Sequence, residues 1–103
     1  MTISAKVSGK AVSIPVSTNA VFRDHWLPGA KALDLAYVPR FYYWDIIVTA
    51  DVLPDLMQEL SRLKEWMRNQ EPAADYALVI ERVERLEREL PQMVAEHGRV
   101  VIG

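Results

Sequence analysis

Three side chains in this sequence have the chemistry of acid–base catalysis: His25, Tyr43 and Asp45. Asp45 is flanked by an aromatic and an aliphatic residue, and an acid in apolar surroundings can keep its proton, as a general acid requires. A single carboxylate does not make a mechanism, and no partner acid stands at a recognisable spacing. We therefore also weigh three simpler roles for Asp45: a solvent-facing side chain, a charge that protects a sheet edge, or an ion pair with Arg40.

Metal binding and nucleophilic catalysis have no recognisable pattern in the chain. It contains no cysteine and two histidines, His25 and His97, which do not stand in a metal-ligand spacing. Asp24 precedes His25, but adjacent residues of a helix point in different directions, and no nucleophile motif is present. Gly9-Lys10 lacks the preceding glycine and the following Ser or Thr of a phosphate-binding loop. We expect no catalytic residue, no metal and no cofactor.

The strongest candidate for a functional surface is the run Arg-Phe-Tyr-Tyr-Trp at 40–44. It is rich in the residue types that dominate protein–protein interfaces. In a strand, alternate side chains of this segment face away from the core. Either other elements of the chain cover those side chains or a partner protein does. We take Arg40, Phe41, Tyr43 and Asp45 as the candidate partner-binding residues.

The charge balance argues against a nucleic-acid partner. The chain has 12 Lys and Arg against 14 Asp and Glu, a formal net charge of −2. The arginines of its last predicted helix, Arg82, Arg85 and Arg88, are interleaved with glutamates, which is typical of a solvated face rather than of a stripe that follows a phosphate backbone.

Apolar runs in the chain are too short for a signal peptide or a membrane span, and the lack of cysteine suits a reducing compartment. We therefore expect a cytoplasmic protein that does not bind membranes. Half of the residues are hydrophobic and a quarter are charged, which is the balance of a folded globular protein. No repeat, low-complexity tract or linker divides the chain, so we expect one compact domain over residues 1–103.

Alternating apolar residues at the start of the chain predict a β-hairpin. Pro15 has no N–H for a ladder hydrogen bond, so the second strand should lie at a sheet edge or end there. With Gly9 and Lys10 as the turn residues, the predicted facing pairs are Val7 with Val12, Ala5 with Ile14, and Ile3 with Val16.

A helix is predicted to begin near Asn19 and to be kinked or split at Pro28-Gly29, because an interior proline removes a hydrogen bond. The β-branched and aromatic composition of residues 42–49 predicts a strand. Its core-facing side chains would be Tyr42, Trp44, Ile46 and Val48.

Two apolar stripes with spacings of three and four residues predict an antiparallel helical hairpin. Asp51 is expected to cap the first helix, Pro91 to bend or end the second, and Gly98 to stop it. The segment Arg99–Gly103 should form a strand beside the hairpin or the aromatic strand. The expected ion pairs of the outer helical face are Glu81 with Arg85 and Glu84 with Arg88.

The predicted fold is therefore α+β with the order β-β-α-β-α-α-β. A small sheet, made of the N-terminal hairpin, a central aromatic strand and a short C-terminal strand, packs with a kinked helix and an antiparallel two-helix hairpin. Our first functional hypothesis is a non-enzymatic protein-binding domain. One concrete example is a bacterial immunity or antitoxin-type protein that neutralises its partner by direct binding.

Two alternatives stay open at this point. One is a structural homo-oligomer, for example a dimer formed through the edge of the aromatic strand or the outer face of the helical hairpin. The other is a small enzyme or ligand-binding domain that uses Asp45, His25 and Tyr43 together.

Overall fold

A computed structural model describes residues 2–7 and 13–103 of the chain. The strands are β1 Thr2–Lys6, β2 Ser13–Thr18, β3 Ile46–Thr49 and β4 Arg99–Ile102. The helices are α1 Asn19–Val21, α2 Leu27–Ala32, α3 Arg40–Tyr43, α4 Leu53–Arg68 and α5 Ala73–His97, and a π-helical segment, Phe22–Trp26, joins α1 to α2. The predicted α+β class and element order are confirmed.

The four described strands form one antiparallel sheet in the order β2-β1-β4-β3. The predicted strand near the C-terminus is confirmed, and it lies between the hairpin and β3. Strand β2 is at an edge of the sheet. This position suits Pro15, because proline has no backbone N–H to donate to a second neighbouring strand.

The hairpin register is confirmed at one predicted pair and corrected at another. Ala5 faces Ile14, as expected, but Ile3 faces Ser17 rather than Val16, because an irregularity between Ile3 and Ser4 shifts the ladder. The predicted Gly9-Lys10 turn and the pairing of Val12 lie outside the described residues.

The first helix begins where the sequence predicts, with Thr18 accepting a hydrogen bond from the backbone N–H of Val21. Its interruption takes the form of a widened π-helical turn, in which the N–H of Leu27 reaches back to the carbonyl of Phe22. Pro28 then stands in the first turn of α2, where its missing N–H costs little.

The predicted aromatic strand over 42–49 is wrong in its first half. Residues 40–43 form a helical turn, and only Ile46–Thr49 is strand. Pro39 explains the difference, because its fixed φ of −59° suits the residue that precedes a helical turn. The inward positions Ile46 and Val48 are confirmed as buried, but Trp44 faces outward.

Helices α4 and α5 form the predicted helical hairpin, and their apolar stripes are buried. Asp51 is not the helix cap: Val52 occupies that position and makes no side-chain capping bond. Pro91 does not end α5, which continues to His97 and stops at Gly98, whose φ of 83° favours glycine.

The predicted ion pairs within α5 are replaced by others. Lys64 of α4 reaches Glu87 of α5 at 2.7 Å and Glu84 at 3.8 Å, so the pairs link the two helices. Arg85 pairs with Glu89 instead of Glu81.

The core lies between one face of the sheet and the helices. It includes both hairpin strands, the π-helical segment and the stripes of α4 and α5, and its largest fully buried side chains are Trp26, Phe22, Phe41, Leu56, Leu60, Leu63, Met67, Leu86 and Leu90.

Candidate functional site

The predicted partner-binding residues cluster around the short helix α3, but they do not share one exposed face. Phe41 is 2% exposed and packs near Phe22 and Trp26, with ring centroids 6.0 and 6.5 Å away. Phe41 was expected among the partner-binding residues, and this expectation is wrong. In a helical turn, its side chain faces the core. Tyr42 also faces the body of the protein, stacked parallel to Phe22 at 6.0 Å.

The next side chains along the chain point to solvent. Tyr43, Trp44 and Ile47 are 54%, 70% and 52% exposed, and the Tyr43 and Trp44 rings lie 6.0 Å apart. We call these three residues the aromatic edge surface, because Ile47 lies on β3, which has one neighbour in the described sheet. Large apolar side chains exposed within one short segment can mark an interaction site.

Sequence reasoning missed Trp44 as a surface residue, and it did not include Ile47 among the partner-binding residues. Alternation along β3 does place Ile47 opposite the buried Ile46 and Val48. Trp44 was assigned inward only because the strand was extended too far towards the N-terminus.

Arg40 and Asp45 flank this surface without binding each other. The Arg40 guanidinium lies 5.5 Å from the centroid of the Tyr37 ring, a cation–π distance. Asp45 is exposed, and its carboxylate lies so close to Gly103 that an added Cβ there would collide with it. Within residues 2–7 and 13–103, no ion pair involves Arg40 or Asp45.

A groove of about 420 Å³ adjoins the aromatic edge surface and shares Tyr43 with it. Two cations, Arg23 and Lys31, contribute to its wall. Arg23 is paired with Asp24 at 3.0 Å, whereas Lys31 has no carboxylate within 4.0 Å in the described part of the chain. Lys31 and Arg40 therefore bring two positive charges to this region, against the one carboxylate of Asp45.

The ion pair between Arg23 and Asp24 shifts the pKa values of both side chains. The hydrogen bond from Arg23 lowers the pKa of the Asp24 carboxyl below its ordinary value, and the same bond raises the pKa of the Arg23 guanidinium. A lowered carboxyl pKa stabilises the fold above the ordinary pKa, and this contribution is lost as the pH falls through the lowered pKa. The contribution is small because both side chains are exposed.

We expect the substitution Arg23→Gln to raise the pKa of Asp24 towards its ordinary value. An NMR titration of the Asp24 carboxyl carbon in both proteins measures this change. Lys31→Gln removes a nearby charge without touching the hydrogen bond and should leave the titration midpoint almost unchanged. An identical midpoint in wild type and Arg23→Gln would mean that the pair does not form in solution.

Glu59 holds the loop that leads into α3. This side chain of α4 is 8% exposed, and its carboxylate accepts hydrogen bonds from the backbone N–H groups of Ala36, Tyr37 and Val38, at 2.9 to 3.1 Å. Charge-assisted bonds of this kind are strong, and three of them fix the path of the chain. Glu59 is thus a positioning residue for the aromatic edge surface, and the sequence analysis did not single it out.

The three candidate acid–base side chains contact different parts of the structure. His25 packs edge-on against Tyr76 at 5.0 Å, and its Nδ1 lies 3.3 Å from the carbonyl oxygen of Val21. Among the described residues, no hydrogen bond or ion pair joins His25, Tyr43 and Asp45. The geometry therefore gives no support to a shared catalytic centre.

Within residues 2–7 and 13–103, no group of three or more His, Asp or Glu side chains is placed to hold a metal ion. No helix in these ranges has the length and apolar character needed to cross a bilayer.

Comparison with protein-family models, curated proteins and solved structures finds no match for this chain, so its function has to be inferred from its own residues.

Proposed function

We propose that this protein is a non-enzymatic binding domain that docks a partner protein on the aromatic edge surface. The observation that carries the proposal is the exposure of Tyr43, Trp44 and Ile47 within one short segment of a chain whose other aromatic residues are buried or half-buried. Tyr and Trp are the residue types most enriched in interface hot spots, because they add much contact area at little conformational cost.

Charge defines the partner more closely. Lys31 and Arg40 lie beside the exposed aromatic residues, and neither has a carboxylate within 4.0 Å in the part of the chain that the structure describes. A complementary surface would carry an apolar centre with carboxylates at its rim. A bacterial toxin neutralised in the cytoplasm by direct binding is a narrower version of this proposal, and it rests on the small size of the chain alone.

Affinity capture from the native lysate tests the proposal. Wild type, Tyr43→Ala, Trp44→Ala and the control Leu78→Ala serve as baits, because Leu78 is a 63% exposed apolar residue outside the surface. We expect a protein that co-purifies with wild type and with the control but not with the two surface variants. With that partner purified, each surface variant should bind at least about tenfold more weakly, while its melting temperature stays close to that of wild type.

Equal capture by all four baits would contradict the proposal, as would loss of stability in Tyr43→Ala or Trp44→Ala. Arg40→Gln should slow association and should do so less at high salt, because a rim charge acts mainly through long-range steering.

A homodimer through the free edge of β3 is the second candidate, because this described edge lies next to the same apolar side chains. Pairing β3 with β3 of a second copy would extend the sheet. Sedimentation velocity at two protein concentrations distinguishes the candidates: a concentration-dependent shift that Ile47→Lys removes supports the dimer, and a constant monomer supports a heterologous partner.

A further inference from the structure

A second cavity lies at the opposite edge of the sheet from the aromatic edge surface. It is partly open to solvent, has a volume of about 310 Å³, and is lined by residues of β1, β2, the first helical turns and α5. Most of its wall is apolar, and the wall includes Val16, Val21, Trp26, Leu78 and Arg82. Ligand pockets of proteins begin at about this size and are usually apolar with a few polar groups.

Trp26 supplies the first of these polar groups. Its side chain is fully buried and lines the cavity, yet its indole N–H has no hydrogen-bond partner in the described part of the chain. Buried indole N–H groups are normally paired, because an unpaired donor has lost water and gained nothing. The indole N–H is thus a buried, unpaired donor on a residue that lines the cavity.

The backbone around Trp26 is also unusual. Trp26 ends the π-helical segment, which follows directly after Val21, another residue of the cavity wall. Single π-helical turns within helices are rare and occur often at functional sites. A π-helical turn contains one residue more than an α-helical turn. It therefore rotates Trp26 about the helix axis and changes the position of the indole relative to β2.

Arg82 supplies a positive charge at the same cavity. It is half-buried on α5, and its Nη1 lies 3.5 Å from the carbonyl oxygen of Pro15, a weak hydrogen bond at best. Within residues 2–7 and 13–103 it has no carboxylate within 4.0 Å, unlike Arg85, which is paired with Glu89. A guanidinium has five N–H donors, and a carboxylate is the group that best matches its planar fork.

We propose that this cavity binds a small amphipathic carboxylate, with its apolar chain against Val16 and Val21 and its acid group towards Arg82 and the Trp26 N–H. At about 30 Å³ for each water-sized group, 310 Å³ holds roughly ten non-hydrogen atoms. A straight-chain carboxylate of eight carbons has this size. The proposal is independent of the docking proposal, because the two sites use different residues at opposite sheet edges.

NMR of the indole N–H groups tests the proposal with octanoate as the probe. The chain has three tryptophans, and Trp44→Phe and Trp66→Phe identify the Trp26 signal by elimination. We expect octanoate to move the Trp26 signal in a saturable way at submillimolar concentration. Octan-1-ol, which has an acceptor but no charge, should bind more weakly, and octylamine should bind weakest.

Variants assign the binding to the cavity. Arg82→Gln should weaken octanoate binding about tenfold and change octan-1-ol binding by less than about twofold. Arg88→Gln is the matched control, because it makes the same charge change at an exposed position of α5 that does not line the cavity. Val21→Trp should fill the mouth of the cavity and abolish binding of both probes.

Three results would overturn the proposal. They are a Trp26 signal that octanoate leaves in place while the protein is folded, equal binding of octanoate and octylamine, and equal losses in Arg82→Gln and Arg88→Gln. The two proposals fail independently. Octanoate binding is read from the Trp26 signal, whereas partner binding is read from the capture experiment, so a negative result in one leaves the other in place.

Discussion

Replacing Glu59 with alanine should lower the free energy of unfolding by about 3–5 kcal/mol, the largest single effect expected for this chain. The substitution leaves the N–H groups of Ala36, Tyr37 and Val38 without their acceptor, and it also opens space at a buried position of α4. Each buried donor left unpaired costs about 1–3 kcal/mol, although partial access of water keeps the sum below three full penalties. Urea denaturation followed by circular dichroism measures the change.

Two further variants show whether the hydrogen bonds are the cause. Glu59→Gln keeps the shape of the side chain but loses its charge and turns one acceptor into a donor, so it should lose about half as much stability as alanine. Glu65→Ala is the control on the same helix, because this exposed residue forms a surface ion pair with Arg68 and should change stability by less than about 1 kcal/mol.

Amide exchange gives a local readout of the same prediction. In wild type the three amides bound to Glu59 should exchange slowly, and in Glu59→Gln they should exchange faster than the amides of β4. Equal stability of Glu59→Ala and Glu65→Ala would show that the carboxylate does not hold the loop in solution.

Repeated patterns in the sequence were enough to predict most of the architecture. The apolar stripes of α4 and α5 each extend over many residues, so a single exception does not hide their period. Strand β4 was predictable because Gly98 ends α5 and three β-branched residues follow it. These signals depend on nearby residues, and the helices and the strand form where the signals predict them.

Helix α3 was not predictable from residue types. Aromatic residues favour strands, but that preference is weak and depends on the surroundings of each side chain. Here the backbone after Pro39 turns, and Phe41 and Tyr42 pack on the side chain of Phe22. The sequence thus located the segment and three of its exposed residues, Arg40, Tyr43 and Asp45. It was wrong about Phe41, which is buried, and about Trp44, which is exposed.

The roles of Glu59 and Arg82 depend on partners that are distant along the chain. Glu59 bonds to backbone groups 21 to 23 residues earlier, and Arg82 reaches a carbonyl 67 residues earlier. In the sequence both residues belong to helices rich in charge, where a solvated position is the ordinary expectation. Only the packing of the elements distinguishes them from their charged neighbours.

Gly29 should tolerate no side chain, although it lies inside a helix. A glycine in a helix is usually less stable than alanine by about 0.5–1 kcal/mol, so helix propensity alone predicts that substitution would help. The structure predicts the opposite, because a Cβ on Gly29 would lie 2.6 Å from Leu63 Cδ1 and 2.6 Å from Trp66 Cε3. Helix α2 therefore packs against α4 through bare backbone.

The substitution Gly29→Val is expected to lower the free energy of unfolding by about 3 kcal/mol, at the upper end of the range for overpacked cores. The added methyl groups would push α2 away from α4 and so displace the groove wall that carries Lys31. Urea denaturation of Gly29→Val, Trp66→Leu and the double variant isolates the clash: the glycine substitution should cost less once the indole is gone, because Trp66 is one of its two obstacles. Additive losses, or a more stable Gly29→Val, would mean that α2 and α4 are not in such close contact.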